Sequence, residues 1–170
     1  MEIVKICNEK YMKPSDLKNE IKYATNIKKT NGFIGGLGVT PYNSEEMIYQ
    51  MNMVKRSFRK NEFGRRQLRH IIVSFEQEWA VSPKLALTIA YDIALFYADR
   101  FQIVFGVHQD TDNIHIHFVQ NTVSHIDGRM FSGAWKELEN FKMHVHYVLE
   151  KYIPEYKNKC SLSDFLQDEW

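Results

Sequence analysis

The sequence has 170 residues, 44% hydrophobic and 25% charged, with a formal net charge of +1. That is enough chain for one globular domain with a real core. No apolar run approaches about 18 residues and no charged-then-apolar leader opens the chain, so a membrane span and a secretory signal are not expected and the protein reads as cytoplasmic. Cys7 and Cys160 lie far apart and match no metal-ligand spacing, which reads as two reduced thiols.

The charge is unevenly placed. Residues 1–70 hold 14 Lys and Arg against 7 Asp and Glu, and residues 71–170 hold 8 against 14. Residues 55–69 alone carry seven basic side chains and one acid, Glu62. A polyanion can dock on such a stretch by counterion release, although a solvated helix face and loop has the same composition.

In chain order, residues 1–7 alternate as a strand. Ser15 is expected to cap a first helix, with Asp16 in its first turn and Leu17, Ile21 and Ala24 as its buried stripe. Tyr23 falls near the end of that helix, off the stripe. Lys28, Lys29 and Gly32 mark a basic turn, and Gly35, Gly36 and Gly38 a flexible apolar segment. Ser44 opens a second helix whose core stripe is expected to be Met47, Met51, Val54 and Phe58. A β-branched strand covers 68–75. Ser82-Pro83 starts a helix running to about 100, with Ala86, Ile89, Ile93 and Tyr97 on one face. Two strands, 101–108 and 114–123, flank a polar turn. Residues 125–128 read as a turn and 129–131 as a short strand. A last long helix, about 133–152, places Trp135, Leu138, Phe141, Val145 and Leu149 on its apolar side, and Pro154 ends it. The expected class is α+β, a mainly antiparallel sheet with helices on one or both faces. The domain spans 1–155, with 156–170 as a tail or short helix.

The chemistry concentrates in His108–Asn121. His115 and His117 straddle Ile116, so on a strand both imidazoles leave one face. His108 ends the preceding strand, and antiparallel pairing across the turn brings it beside them. Three neutral nitrogens on one face, with open positions, suit metal-assisted chemistry better than a structural zinc. A lone strand histidine is ordinarily a hydrogen-bonded core or surface residue, but the number and kind of ligands here favour a metal. Asp110 orients a ligand histidine or caps the turn. His70 reads as a satisfied strand histidine and His125 as a turn residue. His144 and His146 point about 200° apart on a helix and cannot share a ligand face.

The run His108-x-Asp110-x4-His115-Ile-His117-x3-Asn121 resembles the signature of relaxases, the mobilisation nucleases of the His-hydrophobe-His endonuclease superfamily. Three more stretches are similar in the same order: residues 21–30 around Tyr23, residues 69–75 ending Ser74-Phe75, and Asn121-Thr-Val with Gly128-Arg129. Together they cover roughly residues 15–131. The resemblance implies a central antiparallel sheet and a divalent ion, manganese or magnesium, on His108, His115 and His117. It implies a nucleophilic Tyr23 that nicks single-stranded origin-of-transfer DNA, keeping the 5′ end and freeing a 3′-OH. It also implies accessory mobilisation proteins and a coupling protein as partners. Tyr11 and Tyr42 are the runners-up for nucleophile. Lys22, Lys28, Lys29, Lys55, Arg65, Arg66 and Arg69 are the expected DNA-backbone contacts.

This chain departs from some relatives in having Asn113 where they have another histidine. Family members also commonly continue further, so the sequence reads equally as an excised domain or a minimal relaxase. A rolling-circle initiator or single-strand transposase of the same superfamily, or a metal-stabilised DNA-binding module without cleavage, are the alternatives. A cupin-type oxygenase needs a nearby glutamate and an all-β chain, and residues 118–123 contain no Glu.

Overall fold

The β-branched and aromatic runs become the middle of a sheet. The computed structural model describes residues 3–167. Five strands, β1 (Val4–Ile6), β2 (Ile34–Leu37), β3 (Leu68–Ser74), β4 (Ile103–His108) and β5 (His115–Asn121), line up in the order β1-β3-β5-β4-β2. Each neighbouring pair is antiparallel. The helices are α1 (Pro14–Ala24), α2 (Ile27–Thr30), α3 (Ser44–Ser57), α4 (Pro83–Ala98), α5 (Trp135–Tyr152), α6 (Pro154–Lys159) and α7 (Leu162–Gln167). The fold is α+β, as the pattern of strands and helices implied.

Strand parity sends each β-residue to one of two cores. Ile71, Val73, Phe105, Val107, Ile116 and Phe118 face α4 and α5, in a core that also takes Ile93, Tyr97, Phe141 and Leu149. Leu68, Val104 and Val119 face α1 and α3, packing on Leu17, Ile21, Ala24, Met47 and Met51. The second core occupies only part of its face. The histidines take the remaining part.

Several local expectations shift. Lys13, not Ser15, is the N-cap of α1, because Pro14 fits the first helical position; the Asp16 carboxylate accepts from the Lys13 N–H at 2.9 Å. The second expected helix, α3, does open at Ser44, and Asn43 caps it, its side-chain oxygen accepting from Glu46 N at 2.8 Å. The stripe of α3 is Met47, Met51 and Lys55 rather than Met47, Met51, Val54 and Phe58: Lys55 is buried, Val54 half-buried and Phe58 exposed. On α5, Trp135 is exposed and Leu138 only half-buried, so the buried stripe begins at Phe141. The expected strand at 129–131 is a single bridge, Val123 to Met130.

The glycine segment read as flexible is β2, an edge strand paired with β4. Gly35 is required there, since a Cβ would lie 2.5 Å from the Phe105 ring and 2.8 Å from the Tyr91 hydroxyl. After α5, Tyr156 of α6 and Phe165 of α7 are buried in the larger core. Residues 1–2 of the expected first strand and 168–170 of the expected tail lie outside the described residues.

Candidate active site

The β4–β5 hairpin pairs His108 directly with His115 and Gly106 with His117. The three histidines therefore stand on the α1/α3 face, with ring centroids 5.3 Å (108–115), 4.2 Å (108–117) and 5.0 Å (115–117) apart. One nitrogen of each lies within 4.8 Å of the others'. His108 and His117 are buried and His115 is half-buried.

Each ring has one nitrogen committed and one spare. His108 Nε2 donates to the Ala24 carbonyl at 3.1 Å, and His115 Nδ1 donates to the Asn113 carbonyl at 2.9 Å. His117 Nδ1 meets His70 Nε2 at 2.8 Å. The nitrogens left over on the two buried rings, His108 Nδ1 and His117 Nε2, are buried without a partner. Buried polar atoms are nearly always paired, so two converging orphans need an explanation. A cation between them provides it, because an imidazole nitrogen without a proton offers a lone pair. Burial pushes the His117 pKa down to about 2 and that of His108 below its ordinary value, so both rings stay neutral near pH 7. The residues present fit a divalent metal.

Tyr23 reaches the same place from α1. Its ring centroid lies 5.3 Å from that of His108 and 5.2 Å from that of His117, both edge-on, and the residue is 43% exposed. Gly106 makes the approach possible: a Cβ there would lie 1.9 Å from the Ala24 oxygen. His108 then holds that same carbonyl, so a candidate ligand fixes the end of the helix that carries the tyrosine. Lys29 of α2 places its ammonium 5.1 Å from the Tyr23 ring centroid and pairs with Asp110. Main-chain hydrogen bonds join this segment to β4 and the turn after it. Gln109 N bonds to the Lys29 carbonyl, and Val107 N to that of Phe33, each at 2.9 Å.

Of the other tyrosines considered, Tyr11 is buried with its hydroxyl on His70 Nδ1, and Tyr42 is 81% exposed in the loop before α3. The Asp110 carboxylate is held by Lys29 and stands 3.9 Å from His108 Nδ1, beyond hydrogen-bond reach. Lys29 also lowers its pKa. Asp110 is therefore tied to Lys29 rather than to a ligand histidine.

The basic residues divide. Lys22 pairs with Glu45 at 2.7 Å, Arg65 with Glu62 at 3.3 Å, and Arg66 reaches the Glu9 carbonyl at 3.3 Å, all on the surface with Lys28. Lys55 and Arg69 are corrections, because neither is presented to DNA. Lys55 is buried and donates to the Gln67 carbonyl at 2.6 Å. Arg69 points to the opposite face of the sheet, between the rings of Tyr97, Phe131 and Phe141 at 4.7–5.5 Å.

Sequence reasoning missed His70 as part of the site. The signal was available in strand parity: His70 and Ile72 share a face of β3, and Ile72 sits opposite His117 in the sheet. What was lacking was the pairing of β3 with β5.

A family model for the nuclease domain of MobA/VirD2-like relaxases matches residues 23–154, beginning at Tyr23 itself. A comparison with curated proteins finds no match. The matched stretch contains Tyr23 and all three clustered histidines and covers well over half of the sequence: the chain belongs to the relaxase family.

Proposed function

We propose that the chain nicks one strand of origin-of-transfer DNA by transesterification, for mobilisation of a plasmid or other mobile element. The Tyr23 oxygen attacks the scissile phosphorus, the bond from phosphorus to the 3′-oxygen breaks, and the 5′ end stays on the tyrosine. The phenolic proton is released and the departing 3′-oxygen takes one up. One phosphodiester replaces another, so the step reverses to rejoin the strand.

The observation that carries this reading is the Tyr23 ring set against both His108 and His117, whose spare nitrogens are buried and unpaired. His108 Nδ1 and His117 Nε2, with the uncommitted nitrogen of His115, would hold a divalent ion, manganese or magnesium. Such an ion supplies positive charge at the phosphate oxygens. Neutral imidazoles leave that charge undiminished. His108 positions the tyrosine through Ala24, and Lys29 holds the ring by a cation–π contact. Lys22, Lys28, Arg65 and Arg66 offer surface charge to the DNA backbone. Among the described residues no helix is long and apolar enough to cross a membrane. A mobilisation enzyme of this kind works in the cytoplasm beside accessory proteins and a coupling protein.

The test is incubation with Mn²⁺ or Mg²⁺ and single-stranded oligonucleotides, then a denaturing gel and mass spectrometry. A covalent adduct on the peptide containing Tyr23, absent in Tyr23→Phe, is the expected result. An adduct on Tyr11, Tyr42 or a histidine overturns the nucleophile. Tight DNA binding with no adduct on origin-of-transfer sequences points to a non-cleaving module.

A further inference from the structure

The polar contacts of the site do not stop at His117. His70 Nε2 lies 2.8 Å from His117 Nδ1, and on its far side His70 Nδ1 lies 3.1 Å from the Tyr11 hydroxyl and 3.4 Å from Glu20 Oε2. His70, His117 and Tyr11 are buried, and Glu20 of α1 is half-buried. Four elements supply this row: β5, β3, the segment before α1, and α1 itself.

The proton positions follow from bonding alone. His117 Nε2 is the orphan nitrogen on the cluster side, so a ligand role there leaves it without a proton. His117 Nδ1 must then carry the proton and donate it to His70 Nε2. His70 is left with its proton on Nδ1, facing two oxygens. The Tyr11 oxygen accepts it, with the Glu20 carboxylate alongside. Every nitrogen in the row then has one role, and the two rings fix each other's tautomers.

We propose that His70, backed by Tyr11 and Glu20, is the positioning residue of the metal centre: it locks His117 in the Nδ1–H tautomer and in the orientation that presents Nε2 to the ion. This rests on the metal-site reading above. It gives a histidine the place that carboxylates and carbonyls commonly take behind metal-bound imidazoles, with a carboxylate one step further out. The bond behind the ring is what sets which nitrogen is the ligand. His108 and His115 need no such residue, because main-chain carbonyls hold them. His117 has no carbonyl, and His70 fills that role.

Two measurements separate this proposal from the reading beneath it. The first uses metal-free protein: nitrogen-15 NMR of the imidazoles reports tautomers directly. Wild type should show His117 as Nδ1–H. His70→Leu, of similar bulk, should show a mixture or the other tautomer, while His70→Gln, whose side-chain oxygen can accept, should restore it. The second is calorimetric titration with Mn²⁺ alone. His70→Leu should bind roughly tenfold to a hundredfold more weakly, the range seen when such partners are removed. His70→Gln should recover most of that loss, and Glu20→Gln should give a smaller one. If the His117 tautomer and the Mn²⁺ affinity of folded His70→Leu both equal wild type, the proposal is wrong. If wild type shows the tautomer lock but binds no Mn²⁺, the metal-site reading fails and His70 keeps only its hold on the His117 tautomer. Should His70→Leu not fold, Glu20→Gln and Tyr11→Phe carry the test, because loss of an outer oxygen must shift the His70 imidazole signals.

Discussion

The two faces of the sheet bury polar groups in opposite ways. On the α4/α5 face the guanidinium of Arg69 is enclosed by three aromatic rings and reaches the Gln120 side-chain oxygen at 3.5 Å. Its charge is met by ring faces. Two nitrogens unpaired on that side, Trp79 Nε1 and Gln120 Nε2, are donors and have no affinity for a cation. On the α1/α3 face the unpaired nitrogens belong to imidazoles, which can offer a lone pair, and they lie close together. Both faces are dense and both hold buried polar residues, so burial alone does not identify a site. The difference lies in whether lone pairs are left over and point at one another.

Substitutions on the two faces should therefore fail in different ways. Replacing His115 and His117 together with Ala should abolish metal binding and nicking, with thermal unfolding close to wild type, because these side chains serve the site. Arg69→Gln should do the reverse. It should cost about 1–3 kcal/mol of stability and leave the activity of the folded fraction intact. A double alanine variant with full nicking, or a stable Arg69→Gln protein that cannot nick, would erase the distinction. Gly106→Ala comes next in size. Its methyl cannot share space with the Ala24 oxygen, so the end of α1 must move and take Tyr23 with it. A displacement of about 1 Å costs on the order of a hundredfold in rate. Adduct formation should fall by about that much while Mn²⁺ affinity holds within a few fold. A wild-type rate would mean that the close helix–strand approach does not position the tyrosine.

The same comparison explains what the sequence disclosed. Local patterns were legible. The His-x-His spacing set two histidines on one face, the β-branched runs marked β3, β4 and β5, and Ser82-Pro83 started α4, with Ser82 Oγ accepting from Leu85 N at 3.2 Å. Tyr23 stood out by being off the stripe of its helix, by its neighbouring lysines and, above all, by falling where the resemblance to relaxases puts a nucleophilic tyrosine. Long-range pairing was not legible. The β3–β5 register, which brings His70 to His117, has no trace in either strand's own residues. Nor did composition separate one basic residue from the next. Arg66 and Arg69 are three apart in a basic run, yet the first lies on the surface and the second, two residues into β3 with its side chain on the α4/α5 face, lies in a core. The glycines of β2 read as flexibility because glycine permits it, but here Gly35 makes room for Phe105 and Tyr91 and Gly36 for Val39. Asp110 looked like a partner for a histidine because it is close in sequence. Lys29, 81 residues earlier in the chain, holds it instead.

Lys55 sharpens the comparison from the apolar end of the α1/α3 face. Burial lowers its pKa to about 8 from 10.5. Between those values the unfolded chain binds more protons than the folded one, so stability rises with pH through that window. Below pH 8 both states carry the charge and the full cost of burying it remains. The gain on passing from pH 8 to 10.5 is roughly 3 kcal/mol at one unit per 1.36 kcal/mol. Urea unfolding at pH 7.5 and 9.5 should show wild type gaining on Lys55→Met, whose stability lacks this component. A constant difference between the two proteins across that range would mean the ammonium is solvated.

The smallest effect is on DNA docking, and it sorts the basic residues by position. A cation that meets a phosphate displaces a counterion, so each contact contributes about 0.7 to the slope of log affinity against log salt for a single strand. Lys28, Arg65 and Arg66 are exposed on the surface, and neutralising each should weaken binding modestly and flatten the slope by about that amount. Arg65 gives up a Glu62 partner to do so, an exposed pair at 3.3 Å that competes weakly with phosphate. Neutralising Lys55 or Arg69 should leave the slope of the folded protein unchanged, because neither reaches solvent. Titrations of a fluorescent oligonucleotide at several salt concentrations separate the two groups. If Arg69→Gln flattens the slope as much as Arg66→Gln, then DNA draws Arg69 out of its aromatic cage, and the α4/α5 face is less closed than its packing shows.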